Sequence, residues 1–334
     1  VNVAIVKLSS LGDVVHALPV AAALRACHPR AHLTWVVEQR EATLLRGHPA
    51  LDEVAVADTR GWRRRHGVRG GADAVRAFRT LVRQFRDRGF EAAVDLQGNL
   101  KSGLLTAATG APVRIGFAAG HCREPLNTLF TNRRVSPPPA ARHIVEQQLA
   151  LLRPLGAMEV APTFWLPRDP AAEAAVERFL AGHGLAEGAP LAILNPGAGR
   201  EVKRWPPARF AELARRLRAD TGTAVCVLWG PAEAEQARAI VEATACPGAL
   251  LAPPTDLHAL LALLRRARVV VAADTGPLHA AAALGVPCVG LYGPTDPARN
   301  GPYGPGHRVV RAGDRTMGSI AVEPVLAAAR DLLG

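Results

Sequence analysis

Four short loops of this 334-residue chain hold residues suited to group-transfer chemistry. The first reads Lys7-Leu8-Ser9-Ser10-Leu11-Gly12-Asp13. It follows an apolar run; Gly12 permits a tight turn and Asp13 falls where a helical pattern starts. An aspartate there either caps the helix or acts as a general base at a strand's carboxyl end. The second, Asp95–Ser102, puts Lys101 in the first turn of a helix, where the helix dipole disfavours a cation. That favours contact with an anion over structural support. The loop lacks the spacing of a nucleotide-binding P-loop, and the first loop lacks G-x-G-x-x-G.

The third loop, Asn195-Pro196-Gly197-Ala198-Gly199-Arg200, leads to Lys203. Its glycines allow close approach of the backbone to a phosphate, whose charge Lys203 would neutralise. Downstream, Trp229-Gly230-Pro231 precedes Glu233 and Glu235; a carboxylate here is suited to accept both hydroxyls of a ribose, or simply favours a helix's first turn. The fourth loop, Asp274-Thr275-Gly276-Pro277-Leu278-His279, is the strongest signal. It opens a helix, whose free N–H groups and positive potential suit a diphosphate. Asp274 would repel that diphosphate, so it is expected to turn toward sugar hydroxyls. His279 reads equally as a buried structural histidine or as a catalytic one.

Of the forty basic residues, thirty-seven are arginine and three are lysine: Lys7, Lys101 and Lys203. All three sit in or beside these loops, where a compact, rotatable ammonium differs most from a planar guanidinium. The net charge of +11 is uneven. Residues 1–160 carry 22 basic and 13 acidic side chains, and residues 161–334 carry 18 and 16. The segment Arg60–Arg69 alone holds five arginines, with Trp62 and His66, and reads as a solvated loop or a contact for phosphate or anionic lipid. Nothing in the chain reads nucleic-acid bases. The five scattered cysteines form no C-x-x-C pair and read as buried hydrophobes of a reducing compartment. No run is long and apolar enough to span a bilayer, and the N-terminus reads as a strand, so a cytoplasmic protein is expected.

The elements that must position these loops follow one grammar twice. Val3–Leu8, His32–Glu38, Glu53–Ala57, Ala92–Leu96 and Val113–Phe117 read as buried strands, with helices over Asp13–Cys27 and Ala72–Arg88. A proline run, Pro137–Pro139, and a connection near Gly156–Pro167 interrupt the alternation. It resumes with strands Leu191–Asn195, Ala224–Trp229, Ala249–Ala252, Val269–Ala273 and Cys288–Tyr292. Two α/β domains with parallel sheets are predicted, with ligands beyond the strands' carboxyl ends and a site in the cleft where the sheets face each other.

Taken together, the motifs resemble glycosyltransferase family 9, the bacterial lipopolysaccharide heptosyltransferases. The resemblance spans nearly the whole chain. It rests on Lys7–Asp13, Asp95–Ser102, Arg123-Glu124-Pro125, Asn195–Trp205, Asp274–His279 and Leu291–Pro297. Arg60 with Trp62, Arg123-Glu124-Pro125 and His143 are most similar to the type I branch. Gln147 and Ala198 depart from it, standing where type I members often carry a basic and a hydroxyl residue.

The resemblance implies a GT-B fold of two Rossmann-like domains: 1–160 for the acceptor, 161–318 for the sugar nucleotide, and a helix in 319–334 returning toward the first domain. It implies an inverting transfer from ADP-L-glycero-β-D-manno-heptose to a Kdo hydroxyl of Kdo-lipid A, with no metal and no cofactor. Asp13 matches the general base. Lys203, Glu233, Asp274, Thr275, Gly276, His279 and Gly197 match the sugar-donor side, with Glu235 an alternative to Glu233. Lys7, Ser9, Ser10, Gly12, Arg60, Lys101, Arg123 and His143 match the acceptor side. The implied setting is the cytoplasmic face of the inner membrane, the basic N-terminal half meeting anionic lipid. Rival readings are a type II or III transferase, another family member with a different sugar, and a catalytically inactive sugar-nucleotide-binding module.

Overall fold

A computed structural model describes residues 1–64, 67–157 and 161–334, with side chains left undescribed over 62–71. Most of the basic segment Arg60–Arg69, with Trp62 and His66, therefore lies outside the described side chains. The chain divides into two compact units, Val1–Trp165 and Leu166–Gly334.

The first unit comprises β1 (Asn2–Val6), α1 (Leu11–Cys27), β2 (His32–Val37), β3 (Glu53–Val56), α2 (Thr59–Arg64), α3 (Gly67–Asp87), β4 (Ala92–Asp95), α4 (Leu100–Ala108), β5 (Val113–Phe117), β6 (Arg133–Val135) and α5 (Ile144–Ala150). Its six strands are parallel in the order β3-β2-β1-β4-β5-β6. The second unit comprises α6 (Pro170–Gly182), β7 (Leu191–Asn195), α7 (Pro207–Thr221), β8 (Ala224–Val227), α8 (Ala234–Thr244), β9 (Ala249–Leu251), α9 (Leu257–Arg266), β10 (Val269–Ala273), α10 (Gly276–Ala283), β11 (Cys288–Tyr292), α11 (Pro297–Asn300), β12 (Arg308–Arg311) and α12 (Val322–Leu333). Its parallel order, β12-β11-β10-β7-β8-β9, repeats that of the first sheet.

Both sheets thus reverse direction of growth once, between β1 and β4 and between β7 and β10. Such switch points leave a crevice at the strands' carboxyl ends, the favoured ligand position of open parallel sheets. The four loops singled out above follow β1, β4, β7 and β10. The register pairs Val6 with Asp95 and Ala272 with Asn195, so each pair of loops emerges side by side.

The strands are buried on both faces, as their uninterrupted apolar runs require: Val3–Val6, Leu191–Leu194 and Val269–Ala273 are almost fully enclosed. Burial also pushes the Cys226 thiol up to about 12, so it stays a neutral core group. Trp165, the last residue of the first unit, packs edge-on against His48 with ring centroids 5.0 Å apart. Val322, Val325, Leu326 and Ala329 of α12 join the core of the second unit, packed on α7, β10 and β11. Their spacing forms one apolar stripe, and Trp205 Nε1 anchors the approach by donating to Ile320 O at 2.9 Å. Among the described residues no helix is long and apolar enough to cross a membrane.

Candidate active site

In the first unit, the turn after β1 is shaped by a reciprocal cap. Helix α1 begins at Leu11 with Ser10 as N-cap, so Asp13 is the third helical residue rather than the cap. Asp13 Oδ2 accepts from Ser10 N and Ser10 Oγ, both at 3.0 Å. Oδ1 lies 3.8 Å from Lys7 Nζ, and the Asp13 side chain is 39% exposed. Partial burial pushes this carboxyl up, but Lys7, the Ser10 donors and Arg123 outweigh it and hold the group below the ordinary carboxylate value. Asp13 is therefore ionised and open on one side, as a proton acceptor must be.

Lys7 is almost fully buried, and its ammonium donates to Leu96 O at 3.1 Å. With the Gln148 amide turned to satisfy its neighbours, Gln148 Oε1 also accepts from Lys7 Nζ at 3.2 Å while Nε2 donates to His16 O. Gln97 Oε1 accepts from Leu8 N at 3.1 Å and from Ser9 N at 3.5 Å, tying the loop after β4 to the loop after β1. Gly12 is buried in the first turn of α1, and Ser10 is exposed at its tip.

The loop after β4 folds around Asp95. This buried carboxylate accepts from Gln97 N, Gly98 N, Ser102 Oγ and Asn127 Nδ2 at 2.6–3.0 Å. Burial raises its pKa despite these donors. Gly98 takes a φ of +70°, open to glycine, which brings the loop against the backbone of Arg123. Lys101 leaves this loop to meet Glu38, at 2.9 Å, and Thr59 Oγ1, at 3.0 Å. Thr59 also donates to Glu38 in a short hydrogen bond. Arg60 completes the group: its N–H donates to Glu38 Oε2, and its guanidinium lies 3.6 Å from Glu41 Oε1. Burial pushes the Glu41 carboxyl up, against the pull of Arg60 and Arg40. Lys101 is thus bound structurally to a buried carboxylate, and the anion contact expected for it has this pairing as a competitor.

His143 is placed differently from the other acceptor-side candidates. It is 8% exposed, caps α5 by accepting from Val145 N at Nδ1, and meets the His16 ring edge-on at 5.3 Å. It sits in the packing between α1 and α5. Arg123 is exposed and close enough to Asp13 to lower its pKa.

In the second unit, the loops after β7 and β10 converge. Asn195 Nδ2 donates to Gly197 O and Thr275 Oγ1, both at 3.2 Å, which joins the two. Thr275 is the N-cap of α10, and Gly276 and Pro277 form its first turn. Asp274 is held from two sides: Lys203 Nζ lies 2.7 Å from Oδ2, and the His279 ring places Nε2 2.9 Å from Oδ1. Burial pushes the Asp274 carboxyl up, but His279 and Lys203 prevail and hold it at about 2. The buried His279 has the structural partner expected of one of its two readings. Glu233 turns back across the loop after β8: Gly230 N donates to its Oε2 at 2.9 Å, and Arg204 lies 3.4 Å from Oε1. Gly197 lets it in, because a Cβ there would lie 2.1 Å from Glu233 Oε2. Glu235 is exposed on α8, outside this arrangement. Geometry therefore favours Glu233 for meeting a ligand of the Gly197 loop.

At the switch point of the first sheet stands a held carboxylate with a buried lysine, while Arg60 sits beyond β2 and β3 and His143 between α1 and α5; at that of the second stand a lysine, carboxylates and the N-terminus of α10. Among the described residues no group of three or more His, Cys, Asp or Glu side chains is arranged to hold a metal ion.

Residues 78–322 match glycosyltransferase family 9 (heptosyltransferase). The chain belongs to this family. Lipopolysaccharide heptosyltransferase 1 of Escherichia coli O18:K1:H7 is 31% identical, covering 97% of this chain and 95% of its own. That of Pseudomonas aeruginosa is 35% identical, covering 91% and 81%. The Escherichia coli heptosyltransferase WaaC, solved with ADP, superposes with a TM-score of 0.79 at 28% identity over 99% of this chain and 100% of its own. The same enzyme solved with ADP-2-deoxy-2-fluoro heptose gives a TM-score of 0.77 at 29% identity, covering 99% of each chain. The expected GT-B class holds, and the protein is a glycosyltransferase.

Several residues that build this family 9 site carried no motif of their own. Glu38, just past β2, and Thr59, the first residue of α2, organise Lys101 from 63 and 42 positions away. Gln148 holds the loop after β1 from α5, and Gln97 does so from within the Asp95–Ser102 loop after the neighbouring strand β4. Asn195 and Arg204 stood inside motifs already noted, and their positions beside glycine and lysine were the available signal.

Proposed function

We propose that this chain is an inverting heptosyltransferase of lipopolysaccharide inner-core assembly, transferring heptose from ADP-L-glycero-β-D-manno-heptose to a Kdo hydroxyl of Kdo-lipid A. The observation that carries the reading is the Asp13 carboxylate, ionised and half open at the switch point of the first sheet. The similarity to heptosyltransferase 1 proteins and to WaaC with its ADP ligands supports the choice of sugar nucleotide.

In this mechanism the acceptor hydroxyl gives its proton to Asp13 Oδ1 as its oxygen attacks the anomeric carbon. The bond from that carbon to the diphosphate oxygen breaks, and ADP leaves with the electron pair. One displacement inverts the anomeric centre. Charge grows on the departing diphosphate, so groups that meet it there stabilise the transition state more than the ground state. Lys203, Arg204 and the N-terminus of α10 supply that positive potential, which is why we propose a reaction without metal or cofactor. Thr275 and Gly276 would cradle the diphosphate, Glu233 the ribose, and Asp274 with His279 the heptose. Ser9, Ser10, Gly12, Lys7, Arg60, Lys101 and Arg123 would line the acceptor's approach, with His143 supporting α1 from below.

An amphiphilic acceptor sets the enzyme at the cytoplasmic face of the inner membrane. The excess of basic residues in 1–160, 22 against 13, suits that anionic surface. The test is mass-spectrometric detection of heptose transfer from ADP-heptose to Kdo-lipid A, run beside an acceptor already carrying its first heptose. Transfer only to the latter would make the chain a type II enzyme. Binding of ADP-heptose without transfer to either would make it an inactive binding module.

A further inference from the structure

The exposed leucines of the described residues number four, and they lie together. Leu100 and Leu104 are 40% and 50% exposed; Leu126 and Leu129 are 59% and 72% exposed. Leu100 and Leu104 stand four apart on α4 and share a face. Leu126 and Leu129 stand three apart in the 3₁₀ turn Pro125–Leu129, whose period aligns them. The two elements are locked together. Asn127 Nδ2 donates to Asn99 O at 2.8 Å, Leu100 N donates to Glu124 Oε2 at 2.8 Å, and Gly103 lies so close to Phe130 that a Cβ would stand 2.5 Å from its ring. Single exposed leucines need no explanation, but a rigid cluster of four marks an interaction surface.

Charge on the same surface selects the partner. Arg123 is exposed immediately before the turn. Arg134 is exposed and its Nη2 donates to Thr128 O at 3.0 Å, which fixes the guanidinium beside the turn. Glu124 is the acid of the patch, and its carboxylate is engaged by Leu100 N. Guanidinium forks match phosphate oxygens, and the leucines between them match the boundary between headgroups and acyl chains. A second copy of this face would bring arginine against arginine about a two-fold axis.

We propose that the face formed by α4 and the turn Pro125–Leu129 docks on an anionic lipid bilayer, with Leu104, Leu126 and Leu129 entering the headgroup boundary and Arg123 and Arg134 on lipid phosphates. This deepens the membrane-surface reading above and rests on it.

The test is co-sedimentation of the full chain, without substrates, with vesicles of phosphatidylglycerol and phosphatidylethanolamine or of phosphatidylcholine. The parent chain should bind the anionic vesicles preferentially. Leu126→Ser with Leu129→Ser should weaken that binding about tenfold or more, since each removes an inserted aliphatic group. Arg134→Gln should weaken it and flatten its salt dependence, while Val309→Ser, at an exposed valine of β12, should leave it unchanged. Leu104→Ser alone repeats the test on α4 should the double variant fail to fold. Undiminished vesicle binding by a folded leucine variant overturns the proposal. So does a concentration-dependent dimer that the leucine substitutions dissolve, since a second copy would then cover the face. Heptosyl transfer to a water-soluble Kdo acceptor, measured in parallel, reports on the catalytic reading separately: the leucine variants should retain it.

Discussion

Gly197 and Glu233 interlock: a Cβ at position 197 would stand 2.1 Å from Glu233 Oε2, with the rest of the carboxyl group within 2.8 Å. The atom displaced is the end of a flexible side chain, so Gly197→Ala should move Glu233 rather than unfold the second unit. The expected result is a thermal transition close to that of the parent and a KM for ADP-heptose raised about tenfold, with kcat little changed, as loss of one ground-state contact predicts. Gly199→Ala is the control, because no atom lies within 4 Å of a Cβ there. Equal kinetics for both variants would remove Glu233 from the sugar-donor site.

Asp13 owes its low pKa to Lys7 first and to the Ser10 donors and Arg123 next, against the upward push of burial. A group held below its ordinary value is active above that pKa and loses activity as pH falls through it. The acid limb of kcat/KM should therefore lie below the ordinary carboxylate range. Lys7→Met removes the charge and should move that limb to higher pH, which a pH–rate profile reads directly. Asp13→Ala should lower turnover by at least about 10²-fold while ADP-heptose binding, measured calorimetrically, is retained. An acid limb in Lys7→Met identical to the parent's would separate Lys7 from the base.

Much of this was legible in the sequence, for a physical reason. Strands buried on both faces must be apolar throughout, so the eight interior strands stand out as runs, and the edge strands β3 and β9 keep enough apolar residues to be read with them. The two that did not, β6 and β12, are short edge strands written Arg133-Arg134-Val135 and Arg308-Val309-Val310-Arg311, with charged residues facing water. The helix α6 was missed although its Asp169 cap and Pro170 first turn were present. Loop residues after β1, β7 and β10 announced themselves by glycine, proline and charge. Their supports did not: Glu38 reaches Lys101 across 63 positions, and Gln97 reaches Leu8 across 89. Such partners are chosen by sheet order, which a linear reading does not contain. His143 shows the converse: the resemblance matched it to the acceptor side, and the fold uses it as the buried cap of α5.

Asp274 contributes to the acid stability of the second unit. Its carboxyl is held at about 2, against an ordinary 3.8, by His279 and Lys203 working against burial. A depressed carboxylate stabilises the fold fully above its unfolded pKa and loses that contribution as pH falls through the folded one. The stabilisation, on the order of 2 kcal/mol, should therefore vanish between about pH 4 and pH 2. Asp274→Asn should flatten the dependence of denaturation midpoint on pH in that window. It should also weaken heptosyl transfer at neutral pH, because Lys203 and His279 lose the group that orients them.

The three lysines each meet a carboxylate: Lys7 with Asp13 at 3.8 Å, Lys101 with Glu38 at 2.9 Å and Lys203 with Asp274 at 2.7 Å. Their surroundings differ, so their substitutions should separate. Glu38 is 1% exposed, and Lys101→Met would leave its charge buried with Thr59 and the Arg60 N–H as remaining partners. Removing one member of such a pair costs about 3 kcal/mol, so Lys101→Met should lower the denaturation midpoint markedly. Lys203 is 21% exposed at its side chain and sits where the diphosphate is proposed to bind. Lys203→Met should therefore reduce ADP-heptose affinity more than stability. Lys→Arg changes test the scarcity of lysine in the chain: a planar fork cannot reproduce the contacts that the buried Lys7 ammonium makes with Leu96 O and Gln148 Oε1, so Lys7→Arg should destabilise where Lys203→Arg is tolerated structurally. Denaturant midpoints and ADP-heptose titrations on the same four proteins decide it; a silent Lys7→Arg would reduce the three lysines to an accident of composition.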